Sequence, residues 1–163
     1  MAYQRLQVSE GLTVITSDTV PIPDPATKVF SGVADFTVDT VLTAPVGTKF
    51  TEMGIQKNAI IYNTTNTDCY FVVSVTDEVL TISGDTAPLG GATDSYTIYN
   101  AATKACTLYV GTGGNVIAEM ASQRDSQDTP TLNFVSVPTG SFMPILVTKV
   151  GVASTATNII ALW

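Results

Sequence analysis

The chain has 163 residues, enough for one domain with a substantial core or for two small ones. Seven basic residues against fourteen acidic ones give a net charge of −7, and the basic residues stand singly from Arg5 to Lys149; without a basic cluster, neither nucleic acid nor an anionic membrane surface is an expected partner. Histidine is absent, which removes the commonest general base, triad partner and metal ligand.

Threonine and valine together fill 45 positions, and 12 glycines and 8 prolines are spread among them. Nearly every window therefore favours strands and turns over helix, and the chain is expected to be all-β. Only 13% of the residues are charged, about half the usual share. A surface made of Thr, Ser, Asn and small apolar groups suits a protein packed among neighbours. No segment approaches the roughly 18 apolar residues of a membrane span, and the opening MAYQRLQVSEGL lacks the apolar core of a signal peptide. The expectation is a chain made and kept in a cytoplasm. There Cys69 and Cys106 stay reduced and serve as small buried hydrophobes.

In chain order, residues 1–31 begin with a polar segment and continue as DTVPIPDPATKVF, where Pro21, Pro23 and Pro25 alternate with Ile22 and Asp24. Proline pushes its predecessor to extended geometry and cannot donate to a ladder, so this reads as an extended arm or an edge strand. From Ser31-Gly32 to Tyr99-Asn100 the texture changes to five or six short strands. Ala34–Leu42 alternates apolar and polar, Ala59–Tyr62 is an apolar run, and Asn63–Asp68 is a polar turn. Cys69–Val75 and Val79–Ile82, joined around Thr76-Asp77-Glu78, predict a hairpin. Leu89-Gly90-Gly91 breaks the pattern before Tyr96–Tyr99. These strands suffice for a small barrel of their own.

Beyond Lys104 the strands lengthen and become more apolar. Ala105–Val110 and Val116–Met120 flank GTGGN, Gly111–Asn115. A phosphate loop would need a following helix and usually a lysine; with strands on both sides, a hairpin turn using the positive φ of Gly and Asn is expected. Ala121–Pro130 is the most polar run and reads as an exposed loop, Leu132–Val137 as a strand, and Pro138-Thr139-Gly140-Ser141 as a turn. The last two strands are Ile145–Val152, with Pro144 before it, and Asn158–Trp163. Both faces of the last strand are apolar, so one should fill an interior while the other meets a second layer or subunit.

The segments LYVGTGGNV (Leu108–Val116), FVSVPTGSFMPILVTKV (Phe134–Val150) and TATNIIALW (Thr155–Trp163), with VITSDTVPIPDP (Val14–Pro25) near the start, resemble the head-spike base proteins of tailed marine bacteriophages and gene transfer agents. The middle, FTEMGIQKNAIIYNTT, VVSV, LTISGD and YTIY, resembles a β-module recurrent in marine phage structural proteins. Two departures stand out: Asn58-Ala59 replaces a Gly-Asp pair, and Ala121–Pro130 is longer than the family's connection. The resemblance implies a non-enzymatic virion protein on the capsid exterior, a head-spike base or a decoration protein, assembled in the host cytoplasm. It would form a homo-oligomer, pentameric at a vertex or trimeric at a local threefold position. Its partners would be the major capsid protein and a head fibre.

The expected architecture is a jelly-roll-like β-sandwich base of residues 1–31 and 100–163 with an inserted β-barrel-like subdomain, 32–99. The arm and the last strand, through Val20, Ile22, Ile160, Leu162 and Trp163, are expected to form the subunit interface. No catalytic residue, metal ligand or cofactor is assigned. Asp35, Asp39, Asp77, Glu78, Asp85 and Asp94 read as solvated surface acids rather than a hydrolytic pair. Neither Thr76–Glu78 nor the Asp125 and Asp128 loop has calcium-loop spacing. An alternative function is a tail- or fibre-associated glycan adhesin, using Tyr62, Tyr70, Phe71, Tyr96, Tyr99 and Tyr109 as a stacking platform. It requires two or more of those rings in one exposed concavity.

Overall fold

The computed structural model describes residues 8–38, 40–84, 93–100, 104–121 and 131–163, and for 34–38 the backbone alone. The protein is all-β, with no α-helix among the described residues. It divides into two units: Ile15–Lys104, and Met1–Val14 together with Ala105–Trp163. The expected boundaries at 31/32 and 99/100 thus move to 14/15 and 104/105. The reason is one long strand, Lys28–Val38, which crosses the expected boundary and pairs along its first part with Asp94–Tyr99.

In the first unit, strands β2 (Lys28–Val38), β3 (Val41–Thr43), β4 (Ile60–Asn63), β5 (Asp68–Val75), β6 (Val79–Gly84) and β7 (Asp94–Tyr99) close in the order β2-β3-β6-β5-β4-β7. Every pairing is antiparallel, and β7 returns to β2. The expected β5–β6 hairpin is present. The expected continuous strand from Ala34 to Leu42 is instead a tight reversal into β3, with Thr40 at φ 71°. Asn58 takes φ 68°; asparagine is the side chain that best tolerates this left-handed backbone. The interior is filled by Leu42, Phe50, Ile61, Tyr70, Val72, Leu80, Ile82, Tyr96 and Ile98. At roughly 1.5–3 kcal/mol for each large side chain taken from water, this core is the main stabiliser of the unit.

The second unit contains β1 (Gly11–Thr13), β8 (Cys106–Thr112), β9 (Gly114–Met120), β10 (Thr131–Val137), β11 (Ser141–Val150) and β12 (Thr157–Leu162), in the order β1-β12-β8-β11-β9-β10. The pairing of β11 shows how this sheet folds. From Ser141 to Val147 it pairs with β8, and from Val147 to Val150 with β9. Because β8 is antiparallel, Thr112 leaves it beyond the Ser141 end of β11, whereas Gly114 starts β9 beyond the Val150 end. Gly113 alone joins them, and its two peptide steps reach only about 7 Å. The sheet must therefore turn back on itself at the register irregularities around Val147, so that two layers face each other as in a sandwich whose corner strand changes sheets. Leu108, Val110, Val116, Ala118, Val147, Val150, Ile159 and Ala161 form its buried residues.

This geometry also corrects the reading of GTGGN. β8 and β9 are consecutive but not paired with each other, so the segment is a crossing between layers and not a hairpin turn. Its glycines do not have positive φ. They are required by close approach: a Cβ at Gly114 would lie 2.5 Å from the Ala156 nitrogen, and one at Gly113 2.7 Å from the Val137 oxygen. Pro144, expected just before a strand, lies inside β11 within its irregular stretch, one of the few strand settings that tolerate proline.

Candidate interaction surface

The last strand is docked, and by the start of the chain. β1 covers the outer edge of β12 with Leu12 opposite Ala161 and Thr13 opposite Ile160. Ser9 N–H donates to the Trp163 carbonyl (2.7 Å), and Trp163 N–H donates to that of Glu10 (3.1 Å). Ile159 and Ala161 point into the core, Ile160 and Leu162 remain half-buried on the other face, and Trp163, just beyond the strand, is half-buried too. Val20 and Ile22 do not belong to an exposed arm: each is 1% exposed. The segment enters no strand, turning at Pro25–Thr27 with Asp24 as its cap. Side chains buried to this degree cannot contribute a subunit contact, so these two residues leave the expected interface.

A larger apolar surface lies elsewhere on the same unit. A groove of about 670 Å³ runs between Asn133–Pro138 and Ser141–Ile145. β10 is the last strand of its sheet, and among the described residues no strand pairs along Ser141–Leu146 on the side away from β8. Val135 and Phe142 are exposed in its lining, and Leu132 and Leu146, on the same two strands but outside that lining, are exposed as well. Phe142 stands opposite Tyr109, and Tyr109 opposite Ile160, so an apolar ladder crosses from the groove to the face of β12. Sequence reading placed Ile160 here but missed Leu132, Val135, Phe142 and Leu146, which look like ordinary core positions.

From Thr131 to Thr148 there is no ionisable side chain. The nearest charges at that end of β11 are paired: Lys149 Nζ lies 2.8 Å from a carboxylate oxygen of Glu119, and Thr148 Oγ1 donates to the other (3.1 Å). The backbone beside the groove is also poorly suited to accept a strand. Ser136 sits at φ 56° and gives its N–H to Asn115 Oδ1 (3.0 Å), and Pro138 and Pro144 have no N–H. Such bulges and prolines are how exposed sheet edges resist pairing with other chains.

The rings proposed for glycan stacking do not assemble. Tyr62, Tyr70, Tyr96 and Tyr99 are buried, Phe71 is half-buried, and of the six only Tyr109, in the other unit, is exposed. Tyr62 and Tyr99 meet edge-on at 5.8 Å, and Phe30 and Tyr96 pack tilted at 5.7 Å. Burial pushes the Tyr96 hydroxyl up to about 12 and raises that of Tyr99.

No family model, curated protein or solved structure matches the chain.

The acids that can be placed are held by structural partners. Asp94 is buried and accepts from the side-chain amides of Asn63 and Asn66, each at 2.8 Å, tying the turn after β4 to β7. Asp77 accepts from Thr51 and lies 3.7 Å from Lys49, while Thr76 Oγ1 both accepts from and donates to Val79. The side-chain oxygens of Thr76 and Asp77 are thus engaged by Val79, Thr51 and Lys49. Asp39, Asp85, Asp125 and Asp128 lie outside the described residues, as do the side chain of Asp35, the Leu89-Gly90-Gly91 break and most of the Ala121–Pro130 loop. Among the described residues, no group of three or more Cys, Asp or Glu could hold a metal. Cys69 and Cys106 are both buried. Burial pushes the Cys106 thiol up to about 12, against a smaller lowering by its backbone hydrogen bond, which makes it a poor nucleophile.

Proposed function

We propose that this is a non-enzymatic structural protein of a virion, placed on the capsid exterior as a head-spike base or decoration protein. In this role it binds the major capsid protein and further copies of itself. The observation that carries the reading is the apolar groove between β10 and β11, where Val135 and Phe142 are exposed and no residue from 131 to 148 is ionisable, the kind of surface that marks interaction sites. The family-like C-terminal segments point the same way, for they include both the groove strands and the docked last strand. Copies arranged symmetrically would engage the shell through several weak contacts at once, which multiplies affinity without any single strong contact. The barrel unit would then be the part available to a fibre or a neighbouring capsomer.

Reconstruction of the intact particle tests this. Density for the chain is expected on the outside of the head, as pentamers at vertices or trimers at local threefold positions. Density confined to the tail, or particles that lack the chain, would overturn the reading.

A further inference from the structure

We infer that β1 is an exchangeable cap on the edge of β12: it opens while the rest of the fold stays closed, and Ser9–Val14 of a second copy takes its place. The inference rests on the self-association proposed above and names its contact, the backbone edge of the last strand, in place of the arm through Val20 and Ile22.

The cap is held by backbone rather than by side chains. Its register is regular over Gly11–Thr13, and three further bonds close its ends: Ser9 N–H to the Trp163 carbonyl, Trp163 N–H to that of Glu10, and Val14 N–H to that of Ile159. Yet no side chain from Val8 to Val14 is buried, and only Leu12 and Val14 are half-buried. The first buried residue is Ile15, where the other unit begins. The cap thus lacks a hydrophobic anchor, and water replaces most of what its backbone bonds supply, which puts it at the low end of local stability. β12 differs: Ile159 and Ala161 are buried, and its other edge is paired with β8. Opening therefore removes β1 and leaves β12 in place.

The uncovered edge is fit to accept a strand. At the opposite end of the sheet the backbone is blunted by Ser136 and Pro138, whereas Ile159–Trp163 has no proline, glycine, charged side chain or register shift. The register also selects the occupant. Ser9–Val14 is the sequence seated on this edge, and the same segment of another copy re-forms every bond that opening breaks. A foreign strand would have to match that register afresh. Donor and acceptor are different surfaces, so exchange closes reciprocal pairs or rings, the symmetric copies that the proposed role requires.

Hydrogen exchange of the native chain tests the opening. Alternate amides of a strand face opposite neighbours; Trp163 N–H faces β1, so those of Ile159 and Ala161 do too, while that of Ile160 faces β8. Ile159 and Ala161 are expected to exchange at least about tenfold faster than Ile160, the mark of an edge that opens locally. Equal rates within this one strand would overturn the inference. Disulfide trapping tests the occupant. Thr13 and Ile160 are directly opposite in a pair without mutual hydrogen bonds, where Cα atoms about 4.5 Å apart suit a bridge. Full-length Thr13→Cys and isotopically heavy Ile160→Cys are mixed as folded chains in a glutathione buffer; Cys69 and Cys106 are buried. A disulfide dimer of mixed mass is expected, at least about tenfold above a control mixture of Val46→Cys with Ile160→Cys. A bridge that forms within the Thr13→Cys/Ile160→Cys double variant, with no mixed dimer above the control, would overturn the exchange. Light scattering on the native chain separates the failures. An oligomer without the mixed dimer leaves self-association standing through another surface, whereas a monomer at every concentration removes that premise as well; location on the capsid is read independently from the particle.

Discussion

The two units solve the same problem, covering a sheet made of threonine and valine, in opposite ways. The barrel closes on itself, so it has no edges, and it takes Phe50, Tyr70 and Tyr96 inside; its exposed large apolar residues, Val33, Val46 and Val73, stand apart along the chain. The folded sheet ends at β10 and leaves Val135 and Phe142 exposed in one groove, with Leu132 and Leu146 exposed on the same two strands. Closure removes both the edges and the sticky surface, whereas an open sheet must either blunt its edges or use them. This one blunts the backbone at Ser136, Pro138 and Pro144 and keeps the side chains, the combination expected of a surface that binds side chains without recruiting strands. The barrel therefore buries its large apolar side chains within one closed sheet, whereas the folded sheet leaves several of them exposed on its last strands.

The largest effect that tests this contrast is expected at Gly114. In the barrel unit Gly47 has φ 83° and nothing within 4 Å of a Cβ, a turn glycine in open space; at Gly114 the Cβ would meet the Thr155–Ala156 backbone. Gly114→Val should therefore cost more than about 3 kcal/mol, since backbone cannot move aside as a side-chain tip can. Chemical denaturation measures it. A variant as stable as the native chain would mean that the layers do not meet there and that GTGGN is an ordinary turn. The next effect compares like with like. Leu80→Ala, in the barrel core, should cost about 3 kcal/mol, and Leu146→Ala, at the groove, no more than about 0.5 kcal/mol in the isolated subunit. Equal stability losses from the two substitutions would erase the distinction between core and contact residues.

Much of the fold was legible because β-branched runs and turn residues are local signals. The β5–β6 hairpin, the other barrel strands from β4 to β7 and the docked end all follow from them. What escaped was non-local. Nothing in Lys28–Val38 marks it as one strand serving two partners, β7 and then β3, so the unit boundary was drawn through the region where it begins. A glycine serves equally for positive φ and for close approach, and only the pairing of β11 with both β8 and β9 decides which applies at Gly113 and Gly114. Val20 and Ile22, spaced by prolines, have the pattern of an exposed arm, yet tertiary packing buries both. Leu132, Val135 and Leu146 are indistinguishable by type from Leu108 or Val110. Whether such residues face a core or the open depends on which strand is last in the sheet. The one available signal was the lack of any charge between Thr131 and Thr148, the longer-range counterpart of an exposed apolar patch.

The smallest effect separates the units by pH. Cys106 in the sheet has its proton held by burial up to about 12, against an ordinary value of 9.0; Tyr96 in the barrel is likewise held to about 12, against 10.0, and Tyr99 is raised in the same direction. In each case the unfolded chain releases the proton first. Between the two values the native state binds more protons than the unfolded one, and stability falls as pH rises, by about 1.4 kcal/mol per pH unit for each group. Below the ordinary values the contribution is fully present, so melting should be flat in this respect up to pH 9. The sheet should then begin to weaken from about pH 9 and the barrel from about pH 10. Residue-resolved alkylation of Cys106 reports the first and tyrosinate absorbance the second. Cys106 should resist alkylation well above pH 9 until the sheet opens, and the tyrosinate signal should follow it at higher pH. Tyrosine ionisation that precedes Cys106 exposure would reverse the order and show that the closed barrel, not the open sheet, is the less protected of the two.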